Sequence, residues 1–166
     1  RGEKALQFSQ EYIKEGDTFL ECAHTLLNFN PDESMVLVAL LSPAMKKKNP
    51  PLQKIEDLLG KEVRDLFQNF SELQNISVQK NAEQGLSLRK MFLAMARDIR
   101  TVILQLSHRL CTIHEMDALS SEQQRYISKE TLLVYAPLAG RLGIFELKTQ
   151  LEDGAFCFLY PEEYQK

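Results

Sequence analysis

The chain has 166 residues, of which 44% are hydrophobic and 26% are charged, and its formal net charge is −3. This length is sufficient for one domain with a full hydrophobic core, and the slight negative charge gives no basis for non-specific nucleic-acid binding. No apolar run approaches the ~18 residues that a membrane-spanning helix requires. The opening RGEKALQFSQ lacks the features of a signal peptide, so we expect a single cytoplasmic domain over residues 1–166 with no membrane or nucleic-acid partner.

Apolar residues at helical spacing dominate the first half of the chain. Asp17 is a suitable N-cap for the second of the predicted helices. Gly16 and Gly60 mark helix ends, and Pro51 suits the first turn of a helix. The predicted helices cover residues 4–14, 19–27, 35–41, 52–59 and 63–70.

The second half begins with a polar segment without periodicity, which is predicted to be a surface loop. Two long helical patterns follow, and the second is apolar enough to be the central buried helix. Ser120 is predicted to cap the next helix, which ends near Pro137. No stretch alternates as strands do, so the predicted fold is all-α. The predicted loop covers residues 74–85, and the predicted helices cover residues 87–96, 98–116, 120–135 and 146–159.

The three cysteines, Cys22, Cys111 and Cys157, lie far apart among apolar neighbours. An odd number of cysteines without a Cys-x-x-Cys pair indicates neither a disulfide framework nor a zinc site. We therefore expect three small buried side chains in a reducing compartment.

One face of the predicted central helix carries His108, Cys111 and Glu115 at positions i, i+3 and i+7. This trio could hold a metal, but helical spacing often produces such trios, so packing is the favoured interpretation. The lysine run at 46–48 could attract an anion, although such runs are usually solvated.

Four arginines could bind phosphates, but pairing with acids on neighbouring helices is the simpler interpretation. They are Arg97, Arg100, Arg109 and Arg141. Without reference to relatives, these residues define no convincing active site.

Three stretches of the sequence resemble a known family. They are LRKMFLAMARDIRTVILQLSHRL at 88–110, LQKIEDLLGKEV at 52–63 and ETLLVYAPLAGRLGIFELKTQLEDGAFCFLYPEEY at 130–164. The first is similar to the long helical core of the N-terminal HD domain of RelA/SpoT-type stringent-response enzymes. The second is similar to the helix after the HD motif, and the third to the passage that leads toward the synthetase domain. The resemblance covers most of the chain from about residue 31 and implies an HD-domain-like helical bundle.

In members of that family that hydrolyse (p)ppGpp, this domain binds Mn²⁺ through a His, a His-Asp pair and a later Asp. A Glu-Asp pair supports the attacking water, whose pKa the metal lowers. Matched position by position, the His-Asp pair falls on Ser42 and Pro43, and the Glu-Asp pair on Lys46 and Lys47. The later Asp falls on His108.

The remaining family positions are equally altered. The first His falls on Thr18, an Asn falls on Thr112 and a nearby Thr falls on Glu115. Proline has no donor atom, the two lysines would repel a divalent ion, and one histidine is not a metal site. The resemblance therefore implies that Mn²⁺ and hydrolase activity are lost, and we expect no cofactor.

The same pattern occurs in RelA-type factors with an inactive HD domain, whose next domain transfers pyrophosphate from ATP to GTP or GDP. The leading interpretation is thus a degenerate pseudo-hydrolase domain over residues 1–166, ending just before the expected synthetase domain. It would have a structural and regulatory role toward that domain in the bacterial stringent response. The region from residue 146 to Tyr164 would form the connection.

Two alternatives stay open. The vacated pocket could sense a guanine nucleotide, with Lys46, Lys47 and Arg109 replacing the charge of the metal at the phosphates, although Glu115 adds opposing charge. The least favoured alternative is a metal-dependent hydrolase with unusual ligands, which would need His108 together with Cys111 and Glu115.

Overall fold

The computed structural model describes residues 1–13, 19–46, 49–77, 91, 93–95 and 97–164. All elements within these ranges are helical, which confirms the predicted all-α fold. Gly16, Asp17, Thr18, Lys47 and the side chain of Lys46 lie outside the described residues, as does most of the predicted loop. The helices are α1 (Gly2–Ser9), α2 (Phe19–Leu26), α3 (Glu33–Leu40), α4 (Leu52–Leu59), α5 (Lys61–Ser77), α6 (Ile99–His114), α7 (Ser121–Glu130), α8 (Ala136–Arg141), α9 (Phe145–Leu159) and α10 (Pro161–Tyr164), with 3-10 turns at Leu27–Phe29, Ser42–Lys46 and Met116–Ala118 and a π-helical turn at Thr131–Tyr135.

Short polar side chains begin three of these helices. The carboxylate of Asp32 accepts a hydrogen bond from the backbone N–H of Met35 at the start of α3, at 2.9 Å. Asp98 caps α6 in the same way. Ser120 caps α7 and exchanges hydrogen bonds with Gln123, which confirms the predicted cap. Each cap satisfies a backbone N–H that has no partner within its helix.

Helix α6 is the central helix, as predicted, and it packs against α2, α5 and α9. Leu104 joins an N-terminal core that includes Phe67, which is fully buried. Leu106 and Leu110 join a C-terminal core with Leu147 and other residues of α8 and α9. One helix therefore contributes to both hydrophobic cores and holds the two halves of the domain together.

The prediction that α7 ends near Pro137 is wrong. The helical backbone continues through the π-helical turn Thr131–Tyr135 into α8, and Pro137 lies in the first turn of α8. Proline cannot donate a backbone hydrogen bond, and its ring clashes with the carbonyl four residues earlier in an α-helix. The wider π turn avoids that arrangement, so the chain changes pitch instead of ending the helix.

Two other predicted boundaries are displaced. Helix α1 ends at Ser9 rather than residue 14, and the Ser9 hydroxyl donates to the carbonyl of Leu40 at 2.6 Å. Helix α5 continues to Ser77, so the first residues of the predicted loop at 74–85 are helical. Gln74 lies within the helix, and its polar side chain forms a hydrogen bond with Gln105 on α6.

The prediction of three buried cysteines without disulfides is wrong: two of them are bonded to each other, and of the three only Cys111 is buried. Cys22 on α2 and Cys111 on α6 form a disulfide, with their Cα atoms 5.3 Å apart. Cys157 is free and half-buried. The two bonded residues are 89 positions apart in the chain, and only the packing of α2 on α6 brings them together.

Arg100 joins the starting ends of three helices. Its guanidinium lies 2.7 Å from Asp98 at the start of α6, 3.0 Å from Asp32 at the start of α3, and 2.7 Å from Glu62 in the first turn of α5. Arg97 pairs with Glu72 at 3.6 Å. The predicted pairing of arginines with acids on neighbouring helices is confirmed for these two residues.

The Arg100 guanidinium also affects the ionisation of Asp98. Its hydrogen bonds hold the pKa of the Asp98 carboxyl below the ordinary value of 3.8, although partial burial opposes this. Because the pKa is lowered in the folded state, the stabilisation is fully present above the ordinary pKa. It is lost as the pH falls through the lowered pKa.

Gly154 on α9 faces Ile113 of α6 at close range. A methyl group at this position would overlap Cγ2 of Ile113. We expect Gly154→Ala to lower the free energy of unfolding by about 1–3 kcal/mol through overpacking, in spite of the higher helix propensity of alanine. Gly2→Ala is the matched control, because nothing lies within 4 Å of the added carbon. Urea denaturation that ranks the two variants equally would contradict the close packing.

Candidate functional site

The segment predicted to match the family's His-Asp motif lies in the 3-10 turn after α3. Ser42 is half-buried, and Pro43 is buried. The two residues that follow, Ala44 and Met45, are 0% and 6% exposed and belong to the N-terminal core. This turn is therefore packed as hydrophobic core, and its described side chains offer no carboxylate or imidazole.

His108 and Thr112, which are predicted to match two other family positions, lie one turn apart on α6. The His108 ring is half-buried and lies edge-on to Phe70, with 6.3 Å between the ring centroids. The Thr112 hydroxyl donates to the backbone carbonyl of His108 at 3.1 Å. Both residues face the same cavity, so the structure brings these two predicted positions together.

The cavity has a volume of about 550 Å³ and lies between α5, α6 and α7. Its walls are largely built of neutral polar side chains. The neutral ones include Gln105, His108 and Thr112 from α6 and Gln123 and Tyr126 from α7, and Arg109 from α6 also lines the cavity. A cavity of this size can hold a small organic ligand.

A buried ion pair lies beneath the cavity. A guanidinium nitrogen of Arg109 is 2.5 Å from Oε1 of Glu130, and the two side chains are only 8% and 2% exposed. The guanidinium carbon also lies 4.1 Å from the centre of the Tyr135 ring, an arrangement typical of a cation–π contact. Arg109 thus pairs with an acid on a neighbouring helix, as predicted, and its charge is neutralised locally.

Hydrogen bonds extend this ion pair into a network. The Tyr126 hydroxyl donates to Oε2 of Glu130 at 3.0 Å. Burial of the hydroxyl raises the pKa of Tyr126, and the negative charge of Glu130 raises it further. On the other side, Gln74 donates to Gln105 at 2.7 Å, and Gln105 donates to the Tyr135 hydroxyl at 3.0 Å. The network therefore connects α5, α6 and α7 with the π-helical turn.

Sequence reasoning missed five residues of this network, which are Gln74, Gln105, Tyr126, Glu130 and Tyr135. The available signal is weak. In QLSHRL at 105–110, the polar residues Gln105, Ser107 and Arg109 lie within the predicted central buried helix, and buried polar side chains need partners. The partners lie on other elements, so the sequence alone could not name them.

The electrostatics of the cavity bear on the predicted nucleotide contacts. Arg109 reaches the cavity already paired with Glu130, and Glu122 adds a further carboxylate to the lining. The described walls therefore carry no excess positive charge for a phosphate. The contacts predicted for Lys46 and Lys47 lie outside the described side chains and stay predictions, as does the contact of Arg109.

The metal site considered for His108, Cys111 and Glu115 on α6 lacks one of its three ligands. Cys111 is bonded to Cys22, so it cannot provide a thiolate beside His108 and Glu115. Within the described ranges, no group of three or more His, Cys, Asp or Glu side chains is placed to hold a metal ion.

The helical architecture agrees with comparison to known families. The family model described as HD domain matches residues 6–145. The chain therefore belongs to the HD domain family. No helix in the described part of the chain is both long and apolar enough to cross a bilayer.

The curated relatives indicate which type of HD domain this chain resembles. It is 36% identical over 163 residues to a "probable guanosine-3′,5′-bis(diphosphate) 3′-pyrophosphohydrolase" of Synechocystis sp., covering 95% of this chain and 21% of that protein. The corresponding hydrolase of Aquifex aeolicus is 35% identical over 147 residues, with 89% and 21% covered. A GTP pyrophosphokinase of Myxococcus xanthus is 35% identical over 149 residues, with 87% and 20% covered. The predicted resemblance is confirmed: this is an HD domain of the RelA/SpoT type, and it spans about a fifth of the length of these relatives.

Proposed function

We propose that this chain is a catalytically inactive (p)ppGpp-hydrolase-like domain of a RelA-type GTP pyrophosphokinase. The observation that carries this proposal is the turn that begins with Ser42 and Pro43 in place of the His-Asp pair. Pro43, Ala44 and Met45 are buried there. A buried apolar turn has neither the ligands nor the water that a hydrolytic metal centre needs.

The residues that match the rest of the hydrolase site support the same proposal. Lysines at 46 and 47 replace the Glu-Asp pair, and a lysine cannot act as a carboxylate base or attract Mn²⁺. His108 retains ring nitrogens, but a single histidine does not hold a catalytic metal. We therefore propose that the domain works without Mn²⁺.

We further propose a structural and regulatory role toward a ppGpp synthetase domain of the same cytoplasmic protein, in the bacterial stringent response. That domain would transfer pyrophosphate from ATP to GTP or GDP. The curated relatives are about five times longer than this chain, and one carries the name GTP pyrophosphokinase. Helix α9 packs on α6, α7, the π-helical turn and α8 before it reaches α10. Changes in the helical bundle could thus reach the chain that follows through α9.

Hydrolysis of ppGpp by the purified protein, with and without Mn²⁺, tests the inactivity. We expect no release of pyrophosphate and no bound metal when metal is quantified in the same sample. The HD domain of the Aquifex aeolicus relative, named as a hydrolase, is the positive control for the assay. Manganese-dependent pyrophosphate release would overturn the proposal. Synthetase activity unchanged by deletion of residues 1–166 from the full-length protein would overturn the regulatory role.

Guanine-nucleotide sensing without catalysis is a second candidate, which the cavity of about 550 Å³ favours. Side chains such as Gln123 and Thr112 could bond the edges of a base, whereas the Arg109–Glu130 pair gives little support for phosphates. Isothermal titration with ppGpp and GTP separates the two candidates. Binding that Thr112→Val weakens would favour sensing, and the absence of binding would favour a structural role alone.

A further inference from the structure

The disulfide between Cys22 and Cys111 lies beside the remnant of the hydrolase site. On α6, Cys111 lies three residues after His108 and directly before Thr112, and both of those residues line the cavity. Oε1 of Glu115 is 3.9 Å from Sγ of Cys111. The bond thus attaches α2 to the stretch of the central helix that forms one wall of the cavity.

Helix α2 is a short helix that packs on α3 and α6. It has eight residues, and its buried side chains are Phe19, Ala23 and Leu26. Leu20, on its outer face, is 53% exposed. An isolated helix of this length is not stable in water, so tertiary contacts hold it in place. The disulfide is its covalent contact with α6.

The proposed function implies that this disulfide also exists in a reduced state. A protein of ppGpp metabolism works in the cytoplasm, where thiols are kept reduced and disulfides are usually transient or redox-sensing. This step of the argument rests on the proposed function, whereas the pairing of the two cysteines does not.

We propose that Cys22–Cys111 is a redox-dependent clamp that fixes α2 on the central helix when oxidised and releases it when reduced. The reductant is a dithiol. Its thiolate attacks Sγ of Cys22, which is half-buried, rather than Cys111, which is 2% exposed. The S–S bond breaks, and Cys111 leaves as a thiolate that takes up a proton.

The second thiol of the reductant completes the exchange. It attacks the mixed disulfide on Cys22, which releases Cys22 as a thiol and the reductant as its own disulfide. Two electrons and two protons are transferred to the cysteine pair. Helix α2 then loses its covalent link to α6 and is held by packing alone at that contact, whereas α6 stays buried between its neighbours.

Hydrogen–deuterium exchange read by mass spectrometry tests the clamp. The Cys157→Ser background removes the third thiol, so that no other pairing can form. We expect reduction with dithiothreitol to speed amide exchange in residues 19–26 by about tenfold or more, with little change in residues 99–114. Cys22→Ser in the same background should exchange at the fast rate with and without reductant.

Two outcomes would overturn the clamp. One is equal exchange of residues 19–26 in oxidised and reduced protein. The other is alkylation of both Cys22 and Cys111 in protein treated with diamide, which would mean that the thiols do not pair. Neither readout involves ppGpp, so failure of the clamp and failure of the proposed function remain distinguishable: Mn²⁺-dependent hydrolysis overturns only the latter.

Discussion

Glu130→Gln is expected to lower the free energy of unfolding by about 3–5 kcal/mol, because it leaves the guanidinium of Arg109 buried without a counter-charge. Glutamine keeps the size of the side chain, so the loss reports charge rather than packing. The chain contains no tryptophan, so urea denaturation is best followed by far-ultraviolet circular dichroism.

The size of this effect follows from the burial of both partners. The Arg109 and Glu130 side chains are 8% and 2% exposed, so water solvates little of whichever charge remains. The second carboxylate oxygen of Glu130 also accepts the hydrogen bond of Tyr126. An amide at position 130 can still accept one hydrogen bond, but it cannot neutralise the arginine.

Three variants test the interpretation. Glu122→Gln removes an exposed carboxylate from the same helix and should cost less than about 1 kcal/mol. The double variant Arg109→Met with Glu130→Leu removes both charges and should recover most of the stability. Tyr126→Phe deletes one hydrogen bond and should cost about 1 kcal/mol. If Glu130→Gln is no more destabilising than Glu122→Gln, the buried ion pair is contradicted.

Features that depend on neighbouring residues could be predicted from the sequence. The cap at Ser120, the helix that begins after Pro51 and its end at Gly60 all agree with the structure. The backbone groups at a helix end are satisfied by residues a few positions away, so the sequence contains the whole interaction. The amphipathic pattern of α6 is equally local, and it predicted the central helix correctly.

Features that depend on distant residues could not be predicted. Arg109 and Glu130 are 21 positions apart, and Gln74 and Gln105 are 31 positions apart. Each pair forms only because helices pack in this fold. Pro137 illustrates a related failure, because proline usually ends a helix and here it follows a π turn that accommodates it.

The candidate site also has features that the sequence predicts and features that depend on the fold. The resemblance to a family predicts that Ser42 and Pro43 stand where metal ligands would be, and this prediction needs only the sequence. The burial of Pro43 within an apolar turn depends on the fold. The cavity beside His108 and Thr112 also depends on it, because its walls come from three helices.

Among the long-range features, the disulfide is expected to have the largest effect on the entropy of the unfolded chain. Cys22→Ala combined with Cys111→Ala is expected to lower the free energy of unfolding by about 4 kcal/mol. The cross-link spans 89 positions, and the entropy that a cross-link removes from the unfolded ensemble grows with the length of the loop it closes.

Denaturation in urea with and without dithiothreitol measures this effect. Reduced wild type should match the double variant, and Cys157→Ala, which removes the free cysteine, should stay within about 1 kcal/mol of wild type. A double variant as stable as Cys157→Ala would mean that the two thiols are not joined. The dependence of unfolding free energy on urea concentration should also steepen when the cross-link is removed, because the unfolded chain then exposes more surface. A steeper dependence would show that the disulfide acts on the unfolded ensemble, which it keeps more compact and lower in entropy.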